Sequence, residues 1–270
     1  MQKIRTITSS TEDKIRHADF VKIKDLLDIS SGKILAVRIQ NFYSPKICKQ
    51  ISGSLASNSE LEGYRVEPKF LRSAESLFDT VDDKIAKKRY FHSANSQTRS
   101  TRGLFFPYLS PIDKLILDLL PQQPFGVKIL HLAHACTFGQ TRVARDGGSA
   151  KPHDDILDED VDPKKFPQAK LKAQLSFNTY LALPQNGGEL ELWDYIAPKF
   201  EKRLLKEPRS YGYDRKKIPP STVLLKPKIG EAILFNSWKV HAVSPSLGGV
   251  RVTASVFCGI SKRGHLVFWS

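Results

Sequence analysis

Lys151-Pro152-His153-Asp154-Asp155 is the stretch from which the rest of the chain can be interpreted. In an extended strand, side chains two residues apart point to the same side, so His153 and Asp155 can face one metal ion. Asp154 points to the other side and is interpreted as a solvated carboxylate, with a group that supports the metal ligands as the alternative. Two histidines and one carboxylate are the ligand set typical of non-haem Fe(II) oxygenases. Because His-x-Asp also occurs often by chance, the interpretation requires a second histidine elsewhere.

The second histidine is His241, which lies ten residues before Arg251. Ser246-Leu247-Gly248-Gly249 between them has the composition of a turn and predicts a hairpin in which His241 and Arg251 share one face. A guanidinium at that place can bind a carboxylate in bidentate fashion. The alternative, a charge on a surface strand, fits less well with the apolar neighbours Val250 and Val252.

The C-terminal half has the pattern of an all-β structure. Short apolar or alternating runs follow one another from Val127, and glycine pairs or prolines separate many of them, which predicts a sandwich or barrel. The predicted strands lie at 127–137, 140–145, 171–183, 189–193, 222–225, 231–236, 239–244 and 250–260.

The N-terminal part of the chain shows helix signals. Ser44-Pro45 and Ser110-Pro111 each combine an N-cap residue with proline at the first helical position. Apolar spacing predicts a further helix over 79–88, whereas the polar residues 92–103 predict a loop. We expect one α+β, mainly β domain over residues 1–270, with a helical N-terminal layer as a support region in 1–126 and a β core in 127–262.

Composition narrows the class of protein. Of the 270 residues, 40% are hydrophobic and 26% are charged, as in globular proteins with a substantial core. No run of 18 apolar residues predicts a transmembrane helix, and the polar N-terminus lacks the apolar region of a secretory signal. Three widely spaced cysteines are typical of free thiols in a reducing compartment. We therefore expect a cytoplasmic protein, whose oligomeric state the sequence leaves open.

The net charge of +14 indicates an anionic partner, either an acidic small molecule or nucleic acid. A solvated basic surface explains the charge equally well, because the lysines and arginines are spread along the chain. No nucleic-acid-binding motif occurs in the sequence, which favours the small molecule and leaves nucleic acid as an alternative.

Five features occur in one order: His153-x-Asp155, Gly187-Gly188-Glu189-Leu190, Gly230-Glu231-Ala232-Ile233-Leu234-Phe235, His241 and Arg251. In this order and spacing, about half of the chain resembles the Fe(II)/2-oxoglutarate-dependent oxygenase superfamily. The resemblance implies a double-stranded β-helix, which is a jelly-roll or cupin-like fold. It also implies Fe(II) held by His153, Asp155 and His241, with 2-oxoglutarate and dioxygen (O2) as co-substrates.

The same resemblance implies a binding site for 2-oxoglutarate. Arg251, helped by Thr253, would bind the distal carboxylate, and the other end of the co-substrate would chelate the metal. Polar and apolar residues alternate along 174–180, and a polar inner face fits a co-substrate pocket better than an ordinary core. We therefore expect further contacts from Gln174 and Asn178.

A narrower resemblance rests on Gln174-Leu175-Ser176, on the Gly-Gly-Glu-Leu run and on the terminal Phe268-Trp269-Ser270. These are similar to a small bacterial group of stand-alone enzymes that modify amino acids, N-acyl amino acids, nucleotides and alkaloids, and that includes radical halogenases. The halogenases carry glycine or alanine where the carboxylate ligand belongs. Asp155 at that place therefore implies hydroxylation.

Two regions are candidates for substrate binding. Arg142 precedes the His-x-Asp motif, where the narrower group tends to have arginine. The segment 194–221 is an insertion that often covers the active site in the superfamily, and here it is basic. Its candidates are Arg203, Lys206 and Arg209, and a surface role is the alternative for each of the four residues.

These observations predict an Fe(II)/2-oxoglutarate-dependent dioxygenase that hydroxylates an unactivated C–H bond. The expected substrate is a small carboxylate-bearing molecule, an amino acid or an N-substituted amino acid. The alternatives are the same chemistry on a nucleotide, a protein side chain or nucleic acid. A jelly-roll that binds a ligand without catalysis would be expected to lack a metal ligand or the arginine.

Overall fold

The computed structural model of the chain describes residues 13–56, 61–122, 129–131, 136–137, 139–161, 170–262 and 264–270. Its strands are β1 (Ile15–Ala18), β2 (Ala36–Ile39), β3 (Glu62–Gly63), β4 (Phe70–Arg72), β5 (Ile129–His131), β6 (Gln140–Ala144), β7 (Ala150–His153), β8 (Leu171–Ala182), β9 (Leu190–Leu192), β10 (Val223–Leu225), β11 (Ala232–Asn236), β12 (His241–Val243), β13 (Arg251–Ser261) and β14 (Leu266–Trp269). Its α-helices are α1 (Ile23–Ser30), α2 (Pro45–Ala56), α3 (Lys84–Gly103), α4 (Pro111–Leu119), α5 (Leu157–Asp160) and α6 (Lys202–Leu205).

The described strands form two sheets. The larger has the order β1-β2-β11-β8-β13-β6-β4-β3, and β14 pairs with β13 and with β5. The smaller has the order β10-β9-β12-β7. Apart from the parallel pairs β1–β2 and β5–β14, the pairing is antiparallel. This mostly-sheet arrangement is consistent with the expected jelly-roll, and four strands of the larger sheet come from the N-terminal region.

Two helices begin where the Ser-Pro pairs predict. The helix α2 starts at Pro45, and α4 starts at Pro111 after Ser110, whose hydroxyl accepts a hydrogen bond from the Asp113 amide. The predicted strands from residue 140 onward are all present within a few residues of their expected bounds. Most of 127–137 lies outside the described residues, which include β5 there.

The loop predicted over 92–103 is wrong, because these residues belong to the helix α3. The helix begins at Lys84, after Asp83 caps the amides of Ile85 and Ala86, so the predicted 79–88 helix starts later than expected. Its buried side consists mainly of small or polar residues, which give no apolar periodicity. They are Ala86, Tyr90, Ala94, Thr98 and Thr101.

The predicted hairpin between His241 and Arg251 is also wrong. The strand β12 belongs to the smaller sheet and β13 to the larger, so the residues between them cross from one sheet to the other. The crossing is fixed by backbone hydrogen bonds between Ser246 and the turn at Gly147 and Gly148, of 2.6 and 3.0 Å. His241 and Arg251 consequently approach one another from opposite sheets.

The strand β8 separates the core from the interior space between the sheets. Leu175 and Phe177 are fully buried and pack in the main hydrophobic cluster, together with Leu26, Ile51 and Leu115 of the helices. The alternate residues of β8 are polar and line a cavity, because successive side chains of a strand point to opposite faces. The alternation seen in the sequence therefore divides helix-facing from cavity-facing positions.

Within the described residues, no helix has the length and apolar character that crossing a membrane would require.

Candidate active site

A cavity of about 200 Å³ lies between the two sheets. The smaller sheet contributes His153 and His241 to its wall, and the larger sheet contributes Arg142, Arg251 and the polar face of β8. The cavity collects the three predicted metal ligands together with all four predicted co-substrate residues.

The two histidines are brought together by strand pairing. His153 ends β7 and His241 begins β12, and the two are partners in the antiparallel register. Their ring centroids are 4.3 Å apart. Asp155 follows β7, and its amide donates to the main-chain oxygen of Ser237 at 2.9 Å. The main chain thereby turns the carboxylate toward the same point as the two imidazoles.

The orientation of each imidazole is set by its own strand. Nδ1 of His153 lies 2.7 Å from the main-chain oxygen of Lys151, and Nδ1 of His241 lies 3.0 Å from that of Lys239. Since a carbonyl oxygen accepts, each Nδ1 carries the proton and each Nε2 is left with a free lone pair. Nε2 of His153 and His241 lie 3.9 and 3.2 Å from the oxygens of Asp155.

The electrostatics of the site favour an ionised Asp155 and a neutral His153. Burial alone would raise the pKa of Asp155, but the neighbouring His153 and His241 outweigh it and lower that pKa to about 2. Burial, followed by repulsion from His241, lowers the pKa of His153. An ionised carboxylate and a neutral imidazole are the protonation states in which these two groups can ligate a metal ion.

The three side chains fit a metal ion as a donor set. One candidate ligand atom from each of His153, Asp155 and His241 lies within 4.8 Å of the others, which matches a single ion contacting all three. Two imidazoles and a carboxylate on one side of an ion are the set that suits Fe(II) and leaves other positions open. The sequence prediction of these three residues as a group therefore agrees with the geometry.

Arg251 is a buried cation that has no acidic partner among the described residues. Its side chain is 3% exposed, and its Nε donates to the main-chain oxygen of Gly188 at 3.2 Å. The guanidinium also lies over the ring of Tyr180 at 5.1 Å, and burial lowers its pKa. No carboxylate of the described residues lies within 4.0 Å of it. A buried charge without a counter-ion indicates an anionic ligand.

The glycine pair upstream of β9 makes room for this arrangement. A Cβ at Gly188 would stand 3.2 Å from Cδ of Arg251, and one at Gly187 would stand 1.8 Å from the main-chain oxygen of Pro245. Gly187 and Gly188 also have positive φ angles, of 74° and 70° respectively. Gly187 is therefore required by the close approach of the Pro245 main chain, whereas Gly188 is favoured by its positive φ and by the little room that Pro184 and Arg251 leave.

The other predicted co-substrate residues line the same cavity as Arg251, at increasing distance along the sheet, because Asn178 pairs with Ser255 and Gln174 with Gly259. Thr253 is two residues along β13 and is buried, and Asn178 and Gln174 stand on the polar face of β8. All three line the cavity. Gln174 has a structural contact as well, because its side-chain oxygen accepts from the Leu157 amide at 2.9 Å and so holds α5.

Arg142 also lines the cavity, and its side chain is held by neutral groups. Its Nε donates to the hydroxyl of Tyr64 at 2.8 Å and to the side-chain oxygen of Gln140 at 3.0 Å. No carboxylate of the described residues lies within 4.0 Å of its guanidinium. Since Nε is occupied, the two Nη groups remain to bind an anion in the cavity.

The basic segment 194–221 contributes less charge to the cavity than its sequence suggests. Of its three predicted contacts, Lys206 lines the cavity, whereas Arg203 and Arg209 are exposed and do not. The segment is docked on β7 by a hydrogen bond of 2.6 Å from the Tyr213 amide to Pro152.

Interpreting Asp154 as a solvated carboxylate was wrong. Its side chain is 7% exposed and forms an ion pair of 3.0 Å with Lys202, which also contacts Glu159 at 2.7 Å. Tyr211, which the sequence did not single out, has its ring edge-on to His153 with centroids 5.7 Å apart. Neither contact has a local sequence signal, because the partners are distant along the chain.

The model of the family described as "Carrier-protein-independent halogenase WelO5" matches residues 12–270. A curated L-gamma-glutamyl-L-propargylglycine hydroxylase from Streptantibioticus cattleyicolor is 27% identical over 259 residues, which are 92% of each chain. An L-isoleucine 3(1)-dioxygenase from Pantoea ananatis is 25% identical over 262 residues, covering 88% of this chain and 84% of the relative.

Among solved structures, an N-substituted L-amino acid dioxygenase from Burkholderia ambifaria AMMD has a similar fold, with a TM-score of 0.59 and 14% identity. The alignment covers 92% of this chain and 90% of that chain. The same protein in complex with alpha-KG aligns with the same TM-score and coverage. The similarity in fold covers nearly the whole chain and supports the jelly-roll assignment.

Proposed function

Because this chain belongs to the family of the carrier-protein-independent halogenase WelO5, within the Fe(II)/2-oxoglutarate-dependent oxygenases, we propose that it hydroxylates a small carboxylate-bearing molecule. The chain is a 2-oxoglutarate-dependent non-haem iron dioxygenase that uses Fe(II), 2-oxoglutarate and dioxygen. The substrate class we propose is an amino acid or an N-substituted amino acid.

The observation that carries the proposal is the convergence of His153, Asp155 and His241. We assign the iron to Nε2 of the two histidines and to the Asp155 carboxylate, since candidate ligand atoms of the three residues lie close together and the Nδ1 of each imidazole faces a main-chain oxygen. Iron bound there, with its co-substrates, supplies the oxidising power needed to break an unactivated C–H bond.

We assign the distal carboxylate of 2-oxoglutarate to Arg251. The support is the buried guanidinium without a described acidic partner and its place beside the three metal-ligand candidates in one cavity. A charge-assisted, bidentate contact would neutralise it. Thr253 and Asn178 supply a hydroxyl and an amide beside it, and Gln174 acts mainly by holding α5 against the site.

Hydroxylation is favoured over halogenation by Asp155. The halogenases that the sequence resembles carry glycine or alanine at this place, and here a carboxylate occupies it. The names of the two curated relatives, a hydroxylase and a dioxygenase, agree with that choice.

We assign the substrate carboxylate to Arg142. Its Nε is held by Tyr64 and Gln140, which leaves the Nη edge to accept a carboxylate at a defined angle. Lys206 is a second candidate, and Tyr211 limits the access of water to His153. Positioning of the substrate by Arg142 would select which carbon lies nearest the iron site.

The experiment is a succinate-release screen of the iron-loaded enzyme against amino acids, N-acyl amino acids and nucleotides, read by mass spectrometry. The proposal predicts succinate together with a substrate that has gained one oxygen, dependent on iron and dioxygen. Turnover confined to nucleotides, or a chlorinated product in the presence of chloride, would contradict it.

A further inference from the structure

Most of the acidic side chains in the cavity wall between the sheets are already engaged. Asp154 and Glu159 form ion pairs of 3.0 and 2.7 Å with Lys202, and Asp155 lies against the two histidines. Asp160, at the end of the short helix α5, also lines the cavity. Within the described part of the chain, no basic side chain lies within 4.0 Å of its carboxylate.

The nearest described cation does not neutralise Asp160. Lys87 of α3 donates its ammonium group to the main-chain oxygen of Asp160 at 2.8 Å, and it makes no ion pair with the carboxylate. Burial, followed by repulsion from Asp155, raises the pKa of Asp160 to about 7, and Lys87 opposes that shift in part. A cationic group of a ligand at this carboxylate would therefore stabilise the ionised form of Asp160, which burial and Asp155 disfavour.

The opposite charge is present in the same cavity. Arg142 is a guanidinium held by the neutral groups of Tyr64 and Gln140, and no ion pair joins it to Asp160. The two side chains are therefore more than 4.0 Å apart, and both line the same cavity. The cavity thus offers a basic group and an acidic group that are both without an ionic partner among the described residues.

We infer that Asp160 binds an ammonium group of the substrate, so that the substrate carries a free cationic amine as well as a carboxylate. This inference rests on the proposed function, and it selects amino acids with an unsubstituted amine over N-acylated ones. Acylation of that amine removes its positive charge and leaves Asp160 facing a neutral amide. The amine is either the α-ammonium or an ammonium at the end of the side chain.

The test measures binding, so that it does not depend on turnover. Calorimetric titration of the metal-loaded enzyme with 2-oxoglutarate, without oxygen, uses two matched pairs of probes. L-Norleucine against N-acetyl-L-norleucine reports an α-ammonium site, and 6-aminohexanoate against hexanoate reports a terminal one. We expect the amine-bearing member of one pair to bind about 10- to 100-fold more tightly, as for a hydrogen bond to a charged group.

The variant Asp160→Asn removes the charge at nearly constant volume. It should abolish the preference within that pair and leave the binding of the member without an ammonium group within about threefold of the wild type. Asp158→Asn is the matched control, because Asp158 is an exposed acid on the same helix that does not line the cavity. The preference of the Asp158→Asn variant for the amine-bearing probe should equal that of the wild type.

Glu67→Gln provides a second comparison, since Glu67 is another acidic residue of the cavity wall. A preference that disappears in Glu67→Gln and persists in Asp160→Asn would overturn the inference. Equal binding of both members in both pairs, or no binding of any probe, would also overturn it. If succinate release shows turnover only of N-acyl amino acids that carry no other amine, the inference fails while the proposed function stands.

Discussion

Nε2 of His241 lies 3.2 Å from Oδ2 of Asp155, although His241 begins β12 and Asp155 lies two residues beyond the end of β7. The pairing of β7 with β12 brings the two residues together, and main-chain oxygens hold the Nδ1 side of both imidazoles. The donor atoms are therefore positioned by contacts of the protein's own main chain. We expect the fold to be maintained in the absence of the metal ion.

Replacing Arg251 tests the co-substrate site. Arg251→Gln removes the buried charge, and we expect the Kd for 2-oxoglutarate to rise about 10- to 100-fold, since a hydrogen bond to a charged group contributes about 1.5–3 kcal/mol. Titration with 2-oxoglutarate measures this directly. Arg215→Gln is the control, because Arg215 pairs with Glu191 and does not line the cavity. An unchanged Kd in Arg251→Gln would refute the assignment.

Replacing Arg142 separates substrate binding from co-substrate binding. Arg142→Gln should raise the substrate KM about tenfold or more and leave the Kd for 2-oxoglutarate within about twofold, because the two carboxylates are assigned to different guanidiniums. Steady-state kinetics with the best substrate of the screen measures the first value. Equal losses in both values would show that Arg142 serves the co-substrate.

A core substitution tests the packing of β8 against the helices. Phe177 is fully buried in the main cluster, so Phe177→Ala should lower the free energy of unfolding by about 3–5 kcal/mol. Phe200 is 95% exposed, and Phe200→Ala should change the free energy of unfolding by less than about 0.5 kcal/mol. Urea denaturation of both variants measures the difference. Similar losses in the two would contradict the assigned faces.

The stability of the metal-free protein should depend on Asp160. Because its pKa is raised to about 7 in the folded state, the unfolded chain gives up this proton at lower pH, and this group destabilises the fold increasingly from about pH 4 to pH 7. Asp160→Asn removes that penalty and should raise the Tm at pH 8 more than at pH 5. A Tm difference independent of pH would contradict the raised pKa.

The site could be predicted largely from local patterns. The spacing of His153 and Asp155 and the Gly-Gly-Glu-Leu run are local features, and their geometry follows from strand alternation and glycine φ. The convergence of His241 and Arg251 was also expected, but the reason was wrong. A composition typical of a turn does not show that the chain passes from one sheet to the other between them.

Other features have no local signal. The helix α3 buries alanines and threonines, so periodicity of large apolar residues does not reveal it. The ion pair between Asp154 and Lys202 joins residues that come together only in the folded chain, as does the contact of Tyr211 with His153. Sequence patterns predict secondary-structure elements and motifs well, whereas contacts between residues that are distant along the chain become evident only in the three-dimensional structure.

The measurement that tests the central assignment most directly is an anaerobic titration of the protein with Fe(II) in the presence of 2-oxoglutarate, followed by the visible absorption of the iron–co-substrate chelate. The wild type should reach saturation at one Fe(II) per chain. Asp155→Ala and His241→Ala should show at least about 100-fold weaker binding, while Asp158→Asn should match the wild type. Stoichiometric binding of Fe(II) by both ligand variants would contradict the assignment of the metal site.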